Sequence, residues 1–262
     1  MSPPNLAGRS LFLVADVDAL FSETEVRDAV TPWIEERRDE IGLIYWHDGP
    51  SSELQERVAE RDLPRPDAVI SEAGSCIQAG SRLHRVRAVE EALLTDWPGR
   101  KALSAALPKM KSLKPLRTGG KLRLPLSIEG SKGALPEDVA EVERVARSLK
   151  SRLRPTADGL EVVPLAQNPA SALMTLLPAL GVTPRAAKLR LVLFPRTDLQ
   201  SNAMYLGFRA IVGPAGGEIA RRRARTAPRT VSVTHEGSAG FFEGLERHFG
   251  WTRDAALSAP AD

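Results

Sequence analysis

The first third of the chain alternates short apolar runs with stripes of helical spacing. Leu11 to Ala15 is unbroken apolar sequence, the pattern of a strand buried on both faces of a parallel sheet, and it ends in Asp16, Val17 and Asp18. Ser22 is placed to cap a helix, with Glu25 at the capping-box position and Val26, Val30, Trp33 and Ile34 along one face. Gly42 is expected to break that helix before a second strand at Leu43 to Trp46. A polar loop from His47 to Ser52 leads to a helix at 53–61, and Asp67 to Ile70 reads as a third strand ending at Ser71 to Gly74. Strands and helices alternating at this spacing predict an α/β domain with a parallel sheet.

From residue 78 to 164 the rhythm changes. Helical segments at 87–94 and 100–107 precede an alternating stretch, Lys121 to Leu126, and a helix at 136–149 whose Val139, Val142, Val145, Ala146 and Leu149 share one stripe. Helices mixed with half-buried strands predict a small α+β insert. The α/β rhythm then resumes with a helix at 170–180, a strand at Leu191 to Phe194, a helix at 199–206, a strand at Ala210 to Val212 and a last helix at 240–248. Trp33 and Trp46 are expected in the core, with Trp251 closing the last helix onto it.

Composition narrows the class. Hydrophobic residues make up 42% of the 262 and charged residues 26%, which fits a globular protein, and no apolar stretch reaches the ~18–20 residues of a membrane span. Met1 to Ser10 lacks the basic-then-apolar pattern of a signal peptide, so a cytoplasmic location is expected. The lone Cys76 excludes a disulfide framework, and His47, His84, His235 and His248 show no short pairing that suits zinc. A net charge of +3 does not call for nucleic acid. Its distribution is uneven: every charge from Trp97 to Arg123 is basic, and Arg221, Arg222, Arg223 and Arg225 form a second cluster. Both read first as solvated helix faces, with a surface for a phosphate or an acidic protein partner as the alternative. No aromatic residue is interleaved with the second cluster, so nucleic acid is not an expected partner.

Ligands of parallel sheets bind at the carboxyl ends of the strands. Three polar clusters fall there: Asp16 with Asp18; His47, Asp48, Ser51 and Ser52; and Thr197, Asp198, Gln200 and Asn202. Two carboxylates spaced two residues apart beyond a buried strand need a cation or a proton between them, or else solvent. Oxygen ligands in such a place suit Mg²⁺.

At these residues the chain resembles the haloacid-dehalogenase-like (HAD) phosphatases, in the branch containing sucrose-phosphate phosphatase and mannosyl-3-phosphoglycerate phosphatase. The likeness runs through Leu11 to Asp18, Gly42 to Tyr45, Leu63 to Ser75, Val163 and Pro164, Met204 to Gly213, and Gly240 to Gly250. It implies a HAD-like Rossmannoid core, residues 1–77 and 165–262, with an inserted α+β cap at 78–164. It also implies Asp16 as a nucleophile that forms an aspartyl-phosphate, Asp18 as the acid/base, and Mg²⁺ held by Asp16, Asp18 and Asp198.

The departures from the family pattern are equally specific. Ala19 and Leu20 follow where Gly or Asn and then Thr is usual, and His47-Asp48-Gly49 stands for Thr-Gly-Arg. The phosphate-binding hydroxyl would then fall to Ser51 or Ser52, with His47 beside them. The lysine of the third motif falls at Asn168-Pro169-Ala170, while Ser131-Lys132-Gly133 has the right letters inside the insert. The fourth motif reads Arg196 to Ser201, with Asp198 out of register. Two readings follow. In one, the protein is a weakly active or non-catalytic relative that binds a phosphorylated small molecule or a protein partner. In the other, it is a working Mg²⁺-dependent sugar-phosphate phosphatase in which Lys121, His47 or Asp198 takes the displaced roles.

Overall fold

A computed structural model describes residues 3–21, 24–116, 122–130, 133–156, 159–214, 218–235 and 237–253. Its contacts divide the chain into two compact units, Met1–Val86 with Asn168–Asp262, and Arg87–Gln167.

The first unit opens with strand β1 (Leu11–Asp16), a single turn α1 (Val17–Leu20) and helix α2 (Thr24–Glu36). It continues through β2 (Ile41–Trp46), α3 (Ser51–Glu60), β3 (Ala68–Ser71), a 3₁₀ turn (Glu72–Gly74), β4 (Cys76–Ala79) and β5 (His84–Arg85). The second unit holds α4 (Arg87–Leu94), α5 (Arg100–Ala106), β6 (Leu113–Pro115), β7 (Leu124–Ile128), α6 (Pro136–Ser148), β8 (Ser151–Thr156) and β9 (Gly159–Pro164). The chain then returns to the first unit with α7 (Pro169–Ala179), α8 (Pro184–Arg190), β10 (Leu191–Phe194), α9 (Asp198–Ser201) and a 3₁₀ turn (Asn202–Leu206). It ends with β11 (Arg209–Val212), α10 (Glu218–Ala224), β12 (Thr230–Ser232) and α11 (Gly237–Phe249).

Among the described residues the large sheet runs β12-β11-β10-β1-β2-β3-β4-β5. It is parallel from β12 to β3 and antiparallel through β4 and β5. All six residues of β1 are buried. Leu11, Leu13 and Ala15 join Val30 and Ile34 of α2, Leu54 of α3, and Phe241 and Leu245 of α11 in one cluster. Phe12 and Val14, wholly buried as well, point to the opposite face, and α8 packs against β1, β10 and β11. Cover on both faces is why the run is apolar without alternation.

Gly42 does not end a helix. α2 stops at Glu36, and Gly42 lies within β2, where a Cβ would meet Phe12 Cδ1 at 2.9 Å and Leu6 Cδ1 at 3.1 Å. The glycine makes room for those side chains. The expected cap Ser22 lies outside the described residues. Residues 78–86 belong with the large sheet, which β4 and β5 extend. Trp33 meets Phe241 and Phe242 edge-on, and Trp251 stacks on Phe249 with ring centroids 4.2 Å apart.

In the second unit β6-β7-β9-β8 form an antiparallel sheet with α5 and α6 packed on it. Leu122, Leu124 and Leu126 are buried as the alternation requires, and Val142, Val145 and Ala146 supply the inward stripe of α6. Lys114 of the basic stretch lies 3.5 Å from Glu129, while Lys121 is outside the described residues.

Candidate functional site

The site begins where β1 ends. Asp16 pairs in register with Trp46 of β2, and the preceding Ala15 with Phe194 of β10, so the tips of three strands lie side by side. Trp46 Nε1 donates to the Phe194 carbonyl at 3.4 Å and ties the outer two together. The segments leaving these tips are therefore neighbours.

Asp16 caps α1. Its Oδ1 accepts from the backbone N–H of Asp18 at 2.9 Å and of Ala19 at 3.2 Å. Its Oδ2 accepts from Gln200 Nε2 at 2.7 Å. Gln200 is fixed in that sense because its Oε1 accepts from the backbone N–H of Arg196 and Thr197. Burial pushes the Asp16 carboxyl above its usual range; the Gln200 hydrogen bond and the Arg196 charge oppose this, while the Asp18 charge adds to it.

Asp18, one turn on, is half-buried among guanidiniums. Arg57 and Arg196 both donate to Oδ2, the latter at 2.6 Å, and Arg61 donates to Oδ1 at 3.0 Å. Burial alone would raise its carboxyl, but hydrogen bonds and attraction from Arg57, Arg196 and Arg61 outweigh it and hold the group below the usual carboxylate range. Glu53, Arg57 and Arg61 are spaced four apart, which aligns them along α3. Arg57 also donates to Glu53 Oε1, and His47 Nε2 lies 3.3 Å from Glu53 Oε2. A continuous ionic row thus runs from Glu53 through Arg57 to Asp18 and Arg196, with the His47 ring beside its Glu53 end.

All three polar clusters read from the sequence meet here, though in other roles. His47 enters through Glu53. Ser51 and Ser52 open α3, where Pro50 is the cap and makes no side-chain bond. The backbone of Asp198 begins α9, but its side chain lies outside the described residues, as does Lys121. Asn202 accepts from Arg223, so one member of the second basic cluster is directed inward. Asn168, at the family's lysine position, caps α7 by accepting from the Ser171 N–H at 2.8 Å. Sequence reasoning passed over Arg57 and Arg61, whose spacing from Glu53 was visible, and Arg196, whose visible signal was its place just beyond the β10 run.

Mg²⁺ would need a shell of oxygen ligands at about 2.1 Å. Here Asp16 Oδ2 faces an amide donor, and both oxygens of Asp18 face guanidiniums. Asp48 Oδ1 is buried without a hydrogen-bond partner among the described residues, yet those residues bring no three His, Cys, Asp or Glu side chains together around an ion. The described residues do not fit the ion.

A model of the sucrose-6F-phosphate phosphohydrolase family matches residues 9–250. No curated protein matches the sequence. Among solved structures, the sucrose-phosphatase of Synechocystis sp. PCC6803, in complex with sucrose and phosphate, superposes with a TM-score of 0.74 at 14% identity, over 92% of this chain and 98% of that one. A haloacid dehalogenase-like hydrolase from Bacillus subtilis gives 0.64 at 9% identity, covering 96% and 95%. A HAD-superfamily phosphatase from Bacteroides thetaiotaomicron gives 0.59 at 14%, covering 94% and 97%. At these identities the superpositions establish the fold. No helix among the described residues is long and apolar enough to cross a membrane.

Proposed function

The chain belongs to the sucrose-6F-phosphate phosphohydrolase family, and from that premise we propose that it is a member with little or no phosphoester turnover that binds a phosphorylated small molecule. The single observation that carries this reading is the trio of guanidiniums on Asp18. A general acid must hold a proton at working pH and release it to the leaving oxygen, which calls for a raised carboxyl. Asp18 is held the other way, as a carboxylate with every oxygen engaged. Asp16 is engaged as well, since the same oxygen that would attack phosphorus accepts from Gln200 or from the first turn of α1.

The ligand class follows from family and charge. Arg57, Arg61 and Arg196 bring three guanidiniums to the neighbouring carboxyls of Asp16, Asp18 and Glu53, and guanidiniums are the groups best shaped to recognise phosphate. The related Synechocystis protein holds sucrose and phosphate, which supports a sugar phosphate as that anion. The second unit, residues 87–167, is in this reading the cap of the family. A working Mg²⁺-dependent phosphatase is the second reading, and the retained Asp16–Asp18 spacing favours it.

Phosphate release from a panel of sugar phosphates with Mg²⁺ tests the proposal. The expected result is release at the buffer background for both the wild type and Asp16→Asn, with calorimetric binding of at least one panel member by the wild type. Losing one preorganised charge stabiliser costs ~10²–10³ in rate, so several altered motifs together should leave nothing above background. Turnover in the wild type that Asp16→Asn abolishes would establish the second reading instead.

A further inference from the structure

We propose that the two carboxylates at and just past the tip of β1 are held by nitrogen donors of the chain itself, the Arg196 guanidinium and the Gln200 amide beside β10, in place of a divalent cation. The inference rests on the reading proposed above, because Mg²⁺-dependent turnover would require an ion at these carboxylates. Paired carboxylates that share an ion turn oxygens toward it, and neighbouring loops complete the shell with further oxygens. Here the described side chains of the neighbouring loop that reach the carboxylates present N–H groups. Gln200 is wholly buried, and its own oxygen is occupied by two backbone N–H groups, so its amide nitrogen has one direction to face, toward Asp16 Oδ2. Arg196 directs its Nη1 at Asp18 Oδ2, and Arg57 reaches the same oxygen from α3. Arg61 takes the other oxygen.

The arithmetic of charge points the same way. Asp18 and Glu53 bring two negative charges to the row, and Arg57, Arg61 and Arg196 bring three positive ones. A divalent ion added beside Asp18 would meet repulsion from guanidiniums already seated there. Asp16 lies beside them, and the described side chain that faces its Oδ2 is a donor that cannot ligate through nitrogen while donating. Among the described residues, the site is thus assembled by the chain's own donors on folding.

Thermal midpoints of the full chain in EDTA and in millimolar MgCl₂, with Mg²⁺ titration calorimetry, decide the matter. For the wild type the two midpoints are expected to coincide, with no saturable heat. Gln200→Glu replaces a donor by an acceptor against Asp16; its midpoint should fall in EDTA and recover in part with Mg²⁺. Arg196→Ser removes a half-exposed cation and should lower the midpoint by about 2–4 °C, with the larger loss at low salt. Saturable Mg²⁺ heat from the wild type that Asp16→Asn abolishes would overturn the proposal, as would midpoints untouched by both substitutions. If Gln200→Glu does not fold, the wild-type titration and Arg196→Ser still separate the outcomes.

Discussion

Asp18→Ala is expected to destabilise the protein by about 2–3 kcal/mol, because it leaves three converging guanidiniums with one carboxylate, Glu53, between them. Breaking a fully buried ion pair costs about 3–5 kcal/mol, and a solvent-exposed pair contributes about 0–1. Asp18 is half-buried and Arg196 half-exposed, which sets the estimate below the buried figure. In thermal unfolding the loss should read as about 4–10 °C. It should shrink at high salt, where repulsion among Arg57, Arg61 and Arg196 is screened. The pH dependence has a definite sign. A carboxyl held below its unfolded value contributes stability that is fully present above about pH 4 and disappears as pH falls through the folded value. Wild type and variant should therefore differ at neutral pH and converge below about pH 4. Asp16, shifted the opposite way, favours the folded state at low pH and gives back that stability as pH rises through its folded value. An Asp18→Ala midpoint equal to that of the wild type at low salt and neutral pH would show that the guanidiniums rest on solvent and not on Asp18.

Why the strands were legible and the ionic row was not can be argued from particular residues. β1 and β10 carry four or more consecutive apolar residues because helices cover both faces of the sheet, and burial on two faces leaves no alternation to misread. α1 is a single turn, too short for any periodicity; its one signal is Asp16 itself, in the position of a cap. β8 and β9 were hidden by charge. Arg154 and Glu161 look like solvated positions, yet they pair across the two strands and Glu161 is only 3% exposed. The Glu53, Arg57 and Arg61 row had the right spacing, but spacing of four describes an exposed helix face equally well. What decides between the two is the placement of α3 beside the tip of β1, which depends on β1 pairing with β2 and no local pattern records it. The family resemblance drew attention to the carboxylates and to the missing lysine and hydroxyl. It could not indicate that nitrogen donors had come to face those carboxylates, because Arg196 and Gln200 stand in the fourth-motif stretch just where this chain departs from the family pattern.

The contact between the turn after β3 and the start of α7 offers the second large effect. Gly74 closes the 3₁₀ turn at φ +92°, following Glu72 and Ala73, both already at φ 52°. A Cβ on Gly74 would stand 2.5 Å from the carbonyl carbon and oxygen of Asn168 and 2.8 Å from Pro169 N. All three atoms are backbone, so no rotamer change relieves the contact. Asn168 cannot retreat freely either, since its side chain caps α7, and α7 packs against β3 and the turn. Left-handed backbone costs an alanine about 1–2 kcal/mol and overpacking about 1–3, against a gain of about 0.4–1 from the stiffer unfolded chain. Gly74→Ala should therefore lose about 3 kcal/mol in urea unfolding, read as a lower midpoint at constant slope. Gly207 separates the two causes. It sits at φ +80° with nothing within 4 Å of its virtual Cβ, so Gly207→Ala carries the torsional cost alone and should lose about 1 kcal/mol. Equal losses at the two positions would mean that Asn168 yields to the methyl group, and that the start of α7 is held by its own cap and core contacts instead of by contact with the turn after β3.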